Sequence, residues 1–291
     1  MTVIGTNVSA LRAQNASTSA SNMLATSMER LSTGKRINSA KDDAAGLAIS
    51  SSMTSQIKGM NQGIRNANDG ISMAQTAEGA LDEVSNNLQR MRELEVQKGN
   101  GTYSLDDQKN ITSEQNALAT QIANVLTNTA FNGVKLFDGK AGGGTGKISI
   151  QAGANASDVI SLDLGGDLTA TPADGPPAVT GLGKVVVTAA AVDPDPAVTT
   201  AAGTLADYDT AISTVSNRRA NLGAAQNQLQ SAVNNLTSNS TNLSDAKSRI
   251  EDTDFSSETT ALAKAQILSQ ASTAMLSQAN QSQQSVLKLL Q

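Results

Sequence analysis

Three short segments contain residues whose types and spacing could support chemistry. Paired carboxylates occur at Asp42-Asp43 and at Asp106-Asp107, and pairs of this kind act as acid and base in glycoside hydrolysis. Residues 140–147, KAGGGTGK, resemble a phosphate-binding loop. That loop requires Gly at position 141 and Ser or Thr at position 148, where this chain has Ala and Ile. We therefore exclude a phosphate-binding loop.

Each carboxylate pair also has a simpler interpretation as the start of a helix. Ser39 with Asp42, and Ser104 with Asp107, match the capping box, in which the two side chains satisfy free backbone donors. Acidic residues in a first turn also interact favourably with the helix dipole. The sequence therefore predicts helix N-caps at Ser39 and Ser104, and no catalytic, cofactor-binding or metal site.

The composition excludes several classes of function. His and Cys are both absent, which removes the commonest general base, the commonest transition-metal ligand and every disulfide. The 21 basic and 26 acidic residues give a net charge of −5, without the basic clusters that nucleic acids require. No apolar run approaches the roughly 18 residues of a membrane span. We expect no enzyme activity, no cofactor, no nucleic-acid partner and no membrane partner.

Long helices are the elements that must position everything else. All five prolines lie between residues 172 and 196, so both flanks lack the strongest helix breaker. Seven apolar residues spaced seven apart predict a helix over residues 205–250 that packs by a left-handed supercoil: Tyr208, Val215, Leu222, Leu229, Leu236, Leu243 and Ile250. An aromatic content of 2% also favours thin helical rods over a large globular core.

Further helices are predicted from about residue 5 to a stop at Gly34, from Ser39 to about residue 98, from Ser104 onward, and from about 256 to the end. Alternating residues at 148–151 and 159–164 predict a β-hairpin. Residues 167–203 are either a loose surface lobe or a small β excursion. The fold class is mainly α, a long antiparallel helical bundle or coiled coil of paired N- and C-terminal arms with a small β-hairpin region.

The terminal segments are amphipathic but contain few large apolar residues. Five medium apolar side chains near the N-terminus contribute on the order of 10 kcal/mol, whereas ordering roughly 25 backbone residues costs at least about 25 kcal/mol. We therefore expect the two ends to order only against each other and against neighbouring copies. Asn15 and Asn22 are expected to set the register of this packing, as buried Asn does in coiled coils.

Several segments in both arms resemble bacterial flagellin. They are LSTGKRINSAKDDAAGLAIS at 31–50, NANDGISMAQTAEGALDEVSNNLQRMRELEVQ at 66–97, FNGVKLFDG at 131–139, ISIQAGANASDVISLDL at 148–164 and ILSQASTAMLSQANQSQQSVLKLL at 267–290. The resemblance implies inner-tube terminal helices at 1–38 and 256–291, and a helical rod with the hairpin at 39–166 and 204–255. It also implies a short variable outer insert at 167–203.

The resemblance implies a structural subunit that self-assembles into the extracellular, helical flagellar filament used for swimming. It further implies export of the unfolded chain by the flagellar type III apparatus with a chaperone, and contact with filament cap and hook-junction proteins. The opening MTVIGTNV lacks the features of a Sec signal peptide, which agrees with that route. We place the polymer contacts on seven residues of the terminal segments: Val8, Leu11, Leu31, Leu268, Met275, Val286 and Leu289.

In this family a helical surface is also recognised by a host Toll-like receptor. The matching positions here are Leu88, Gln89, Arg90, Arg92, Leu94 and Glu114. Met91, Glu95 and Lys98 depart from the commonest family pattern, and each changes size or charge beside that surface.

Three other interpretations stay open from the sequence. A hook–filament junction protein shares the terminal architecture but diverges through the SAKDDAAG and NNLQRMRELEVQ segments, which this chain keeps. A surface-displayed binding protein or a filament-borne enzyme would have to use residues 167–203. That segment has no aromatic residue for a sugar platform and shows no metal or nucleophile pattern.

Overall fold

A computed structural model describes residues 6–168, 182, 185–188, 199–201 and 203–288. Within these residues lie five long helices, three two-stranded antiparallel sheets and one helical turn at Ala141–Gly144. The elements are α1 (Val8–Thr33), α2 (Ala44–Lys98), α3 (Leu105–Asn128), β1 (Ala130–Phe131), β2 (Val134–Lys135), β3 (Lys147–Gln151), β4 (Val159–Asp163), β5 (Val186–Thr188), β6 (Thr199–Ala201), α4 (Leu205–Glu251) and α5 (Phe255–Lys288). The mainly α fold class with a small β-hairpin region is confirmed. None of the described helices is apolar enough over a sufficient length to cross a bilayer.

Contacts divide the chain into two compact units. The terminal unit comprises Met1–Ile57 and Thr241–Gln291, and the central unit comprises Lys58–Ser240. Both boundaries fall inside long helices, α2 and α4, rather than in the loops between elements.

Two predicted helix ends are confirmed. Gly34 ends α1 in the left-handed conformation, with φ 73°, and its N–H donates to the carbonyl of Arg30 at 2.9 Å. A side chain at this position would be strained, which explains the use of Gly. Ser104 and Asp107 form the predicted capping box at the start of α3, with each side chain accepting from the backbone of the other.

The predicted N-cap at Ser39 is wrong, because α2 begins only at Ala44. The Asp42 carboxylate accepts from the N–H of Ser39 at 2.9 Å and closes a turn ahead of the helix. The first helical hydrogen bond therefore moves to Asp43, whose side chain accepts from Gly46 N–H at 2.8 Å. Adjacent carboxylates thus divide the work, one closing the turn and the other capping the helix.

The predicted seven-residue repeat lies in α4 and forms one side of the core of the central unit. Tyr208, Val215, Leu222 and Leu229 are buried, and Leu236 is half-buried. The four buried residues belong to one cluster with apolar residues of α2 and α3, among them Leu81, Val84, Leu88, Met91, Ala119, Ile122 and Leu126. In the terminal unit the last two members of the repeat, Leu243 and Ile250, are half-buried.

The predicted β-hairpin is confirmed as β3 and β4, which pair from Lys147↔Asp163 to Gln151↔Val159. Its tip lies against α2, where Gly63 leaves space for another backbone. A Cβ at that position would stand 2.8 Å from the Ala152 carbonyl carbon. The helix surface is therefore flat enough for the hairpin to pack directly upon it.

The insert predicted at 167–203 is anchored by a small β excursion. Strands β5 and β6 pair in antiparallel fashion, and the Ala201 N–H donates to the Asn116 side chain of α3 at 2.7 Å. Leu168, Leu182 and Val185 are buried in the central core. The alternative prediction, a loose lobe, and all five prolines fall on residues outside the described part.

Candidate functional site

The terminal unit contains an antiparallel pair of helices, α1 and α5. At one end the Asn7 side chain caps α1 and donates to the carbonyl of Ala279 at 3.1 Å. At the other end Arg30 lies 3.7 Å from Glu258. These contacts join the start of α1 to the later part of α5, and the end of α1 to the first turn of α5.

The face that α1 and α5 turn toward each other consists mostly of small residues. The less exposed positions follow alternating three- and four-residue steps, as in a coiled-coil seam. In α1 they are Ala10, Ala13, Ser17, Ala20, Leu24, Ser27 and Leu31, and in α5 they are Glu258, Leu262, Ala265, Ser269, Ser272, Leu276 and Ala279. Because Ala and Ser bury little apolar area, this seam contributes little stabilisation for its length.

Eight other large apolar side chains of the same helices are exposed. We call them the outer apolar set: Val8, Leu11, Met23, Met28, Phe255, Ile267, Leu268 and Met275. Their exposed fractions run from 40% for Leu268 to 67% for Ile267 and Phe255. These exposed side chains are the candidates for a protein–protein contact surface on the two helices.

A groove of about 510 Å³ runs along one side of the α1–α5 pair. Its lining is mostly apolar and includes Ala13 and Ala16 of α1, and Ala271, Met275 and Ala279 of α5. Met275 of the outer apolar set therefore lies at the edge of a depression between the helices.

The structure places the predicted polymer contacts at different depths. Val8, Leu11, Leu268 and Met275 are exposed, whereas Leu31 is half-buried in the seam. Val286 belongs to α5, but its side chain lies outside the described residues, as does the whole of Leu289.

Asn15 and Asn22 are both exposed. The expectation that they set the register is therefore wrong for the α1–α5 pair, whose seam lies on another face. The prediction followed the large apolar residues, whereas most positions of the intramolecular seam are Ala or Ser at the same helical spacing. The alternating three- and four-residue steps of small residues were the sequence signal that could have revealed it.

A polar cluster around Glu251 joins the loop after α1 to the end of α4. Glu251 is 7% exposed, and its carboxylate lies 2.5 Å from Lys35 Nζ and 3.5 Å from Lys247 Nζ. The Ser50 hydroxyl also donates to it. The hydrogen bonds from Lys35 and Ser50 lower the pKa of Glu251 to about 2, against its ordinary value of 4.5.

Backbone hydrogen bonds reinforce the same junction. The Arg36 N–H donates to the Glu251 carbonyl at 2.7 Å, and the Thr253 N–H donates to the Gly34 carbonyl at 3.0 Å. Sequence reasoning missed this junction, because nothing local to Lys35 or Glu251 indicates a partner more than 200 positions away.

The residues of the predicted receptor surface are not all accessible. Leu88 and Leu94 are buried in the central unit, while Gln89, Arg90, Arg92 and Glu114 reach its surface. Arg90 pairs with Glu114 of α3 at 2.9 Å, and Arg92 pairs with Asp209 of α4 at 2.6 Å. The accessible part of this surface is thus polar and is held by ion pairs that link three helices.

The long helices, the small-residue seam and the outer apolar set define a helical structural protein whose terminal helices expose a contact surface. Family models agree and give the class a name. The model of the bacterial flagellin N-terminal helical region matches residues 4–141, and that of the C-terminal helical region matches residues 205–290. The chain belongs to the bacterial flagellin family.

Curated relatives match over almost the full length. Flagellin of Xenorhabdus nematophila is 44% identical over 317 residues, and flagellin of Bacillus subtilis (strain 168) is 44% identical over 304 residues. Each alignment covers 99% of both chains. Among solved structures, the crystal structure of Bacillus cereus flagellin has 27% identity and a TM-score of 0.47, covering 63% of this chain and 94% of that chain.

Membership of the family confirms the resemblance described above. Flagellins are structural proteins rather than enzymes, and they form the extracellular filament of the bacterial flagellum as a homopolymer. This chain is accordingly a filament subunit, and the enzyme interpretation is dropped.

Proposed function

We propose that the chain assembles through the outer apolar set into an open helical filament that drives swimming. One observation carries the proposal: the terminal pair buries Ala and Ser in its seam and leaves Val8, Leu11, Leu268 and Met275 exposed. Covering such side chains contributes about 1.5–3 kcal/mol each. Contact patches that repeat without closing into a ring give a fibre of indefinite length.

In this proposal the two ends form the inner part of the filament. Residues 1–38 and 256–291 are the inner-tube helices, residues 39–166 and 204–255 are the rod with its hairpin, and residues 167–203 are a variable outer insert. Val8, Leu11, Leu31, Leu268, Met275, Val286 and Leu289 are the proposed polymer contacts. Leu31 would act by holding α1 on α5, since it is half-buried in the seam.

The same seam supports the proposed route of export. A helix pair that buries mainly Ala and Ser gains little stability alone, so the ends are easily kept unfolded until neighbours cover them. We propose passage of the unfolded chain through the flagellar type III apparatus, with a chaperone covering the ends beforehand. The filament cap and hook-junction proteins would be its other contacts at the two ends of the filament.

Seeded growth is the experiment that tests the proposed function. Purified monomer is added to short filament fragments and followed by electron microscopy. The native monomer is expected to grow long helical fibres from the seeds. Monomer that lacks either terminal segment is expected not to grow. Protein that adds one layer and stops would favour a hook-junction protein, and protein that ignores the seeds would favour a surface-displayed binding protein.

A host Toll-like receptor is a further proposed partner, supported by the exposed Arg90–Glu114 pair. The contact would use Gln89, Arg90, Arg92 and Glu114, with the buried Leu88 and Leu94 supporting the helices from beneath. Purified monomer is expected to activate receptor-bearing cells, and the Arg90→Ala variant to activate them less. Native monomer that leaves these cells silent would refute the proposal.

A further inference from the structure

The methionine side chains of this chain differ in exposure between its two units. The chain has eight Met and no Cys, so thioethers are its only oxidisable sulfur. Among the described residues, the exposed methionines are Met23, Met28 and Met275, at 42%, 58% and 64%. All three lie on α1 or α5, whereas Met91 in the central unit is fully buried.

We propose that Met275 is an oxidation site that controls assembly of the filament, with Met23 and Met28 as accompanying oxidation sites. The inference rests on the proposed function, because it requires the outer apolar set to form contacts between copies. The reactant at this site would be a small two-electron oxidant such as hydrogen peroxide, which reaches exposed thioethers before buried ones.

The reaction transfers one oxygen atom from the oxidant to sulfur. A lone pair of the Met275 sulfur attacks one oxygen of hydrogen peroxide, and the O–O bond breaks. The departing hydroxide takes up the proton of the transferred OH group and leaves as water. Sulfur is oxidised by two electrons to the sulfoxide, and the peroxide is reduced. A thiol-dependent methionine sulfoxide reductase reverses the change.

Met275 is the controlling position because of its surroundings. It borders the groove whose lining includes Ala13, Ala16, Ala271 and Ala279. The lining also contains polar side chains, among them Arg12 and Gln278, whereas Met23 and Met28 do not line the groove. When another copy covers this groove, the oxidised side chain would bring a polar sulfoxide in place of an apolar thioether, so the apolar contact is lost and the sulfoxide must be desolvated, which opposes docking.

Oxidation of the free monomer provides the test. The monomer is treated with hydrogen peroxide, and peptide mass spectrometry measures the oxidation rate of each Met. Met275, Met23 and Met28 are expected to react well before Met91. Seeded growth of the treated protein is expected to slow by about tenfold, the effect of losing one methionine-sized apolar contact. Treatment with the reductase is expected to restore it.

Two conservative variants identify the position responsible. Met275→Leu keeps the apolar volume but has no sulfur, so its growth is expected to resist peroxide. Met91→Leu is the matched control and is expected to stay as sensitive as the native chain. A Met275→Leu variant that remains sensitive would overturn the inference, as would native protein that extends seeds equally well after oxidation. Untreated protein that cannot extend seeds would overturn the proposed function and this inference together.

Discussion

Glu251 is the residue whose environment departs most from what its position in the sequence suggests. It ends α4, where a carboxylate is normally disfavoured by the helix dipole. Here Lys35, Lys247 and Ser50 surround it, so the charge is compensated by groups from three segments of the terminal unit. The carboxylate thereby holds the loop after α1 against the end of α4.

Glu251→Gln is therefore expected to destabilise the free monomer by about 1–3 kcal/mol, because charged hydrogen bonds are lost in a poorly hydrated place. Urea denaturation at neutral pH, followed by circular dichroism, measures the change. Asp245→Asn is the matched control in the same helix, since its carboxylate is 75% exposed beside Arg249. Its effect is expected to stay within about 0.5 kcal/mol. Equal effects of the two substitutions would contradict this account of the junction.

The acid dependence of stability follows from the same carboxylate. Its folded-state pKa of about 2 lies below the ordinary value of 4.5. The stabilisation is therefore complete above the ordinary pKa and is lost as the pH falls from about 4.5 toward about 2. Glu251→Gln should lose less stability than the native chain between about pH 5 and pH 3. Denaturation curves with the same pH slope for both proteins would exclude this role for Glu251.

At the scale of elements, periodic patterns in the sequence predicted those helices and strands whose apolar residues repeat regularly along the chain. The seven-residue repeat gave α4, since each apolar residue returns to the same face. The alternation of residues predicted β3 and β4. Asn132 and Gly133 form the turn between β1 and β2, with φ of 48° and 81°, as is typical of an Asn-Gly pair in a hairpin.

The misses at this scale have two physical causes. The start of α2 moved from Ser39 to Ala44 because the Asp42 carboxylate accepts from Ser39 N–H in a turn ahead of the helix, while Asp43 accepts from Gly46 N–H in the first helical turn. The α1–α5 seam was missed because hydrophobicity ranks Leu and Met above Ala and Ser, while this pair buries the small residues. Four of the proposed polymer contacts, Val8, Leu11, Leu268 and Met275, could be predicted from the sequence as apolar residues of the terminal segments. Their exposure could be learned only from the structure.

Because the hairpin packs on α2 at Gly63 but not at Gly79, the same Gly→Ala substitution is expected to lower stability at Gly63 and to raise it at Gly79. Gly63→Ala should destabilise the central unit by about 1–3 kcal/mol, since the new methyl group would meet the backbone at Ala152, which cannot easily move. Gly79→Ala, in the same helix, meets nothing within 4 Å. It should stabilise by up to about 1 kcal/mol through helix propensity.

Urea denaturation of both free monomers measures the two effects. A Gly63→Ala variant as stable as Gly79→Ala would show that the hairpin does not depend on this close approach.

At the scale of the whole molecule, folding and assembly draw on different residues. The central unit buries large side chains such as Leu81, Phe137 and Tyr208. In the described parts of α1 and α5 the fully buried apolar residues are small, namely Ala20 and Ala265, while eight large ones are exposed. Substitutions of the outer apolar set should consequently alter assembly far more than the stability of the monomer.

Leu268→Gln tests this separation. Because Leu268 is 40% exposed, the monomer should lose no more than about 1 kcal/mol of stability. The concentration at which seeds stop growing should rise by about tenfold, as expected from losing one leucine-sized contact. Leu105→Gln is the matched control, since Leu105 is 76% exposed and lies outside the outer apolar set. A critical concentration unchanged by Leu268→Gln, or raised equally by the control, would contradict the assignment.

Electron cryomicroscopy of the assembled filament tests the central claim most directly. The account predicts that Val8, Leu11, Leu268 and Met275, exposed in the single chain, are covered by neighbouring copies. The Ala and Ser seam of α1 and α5 should stay within each subunit. A filament in which these four side chains still face solvent, with copies joined only through the central unit, would contradict the account.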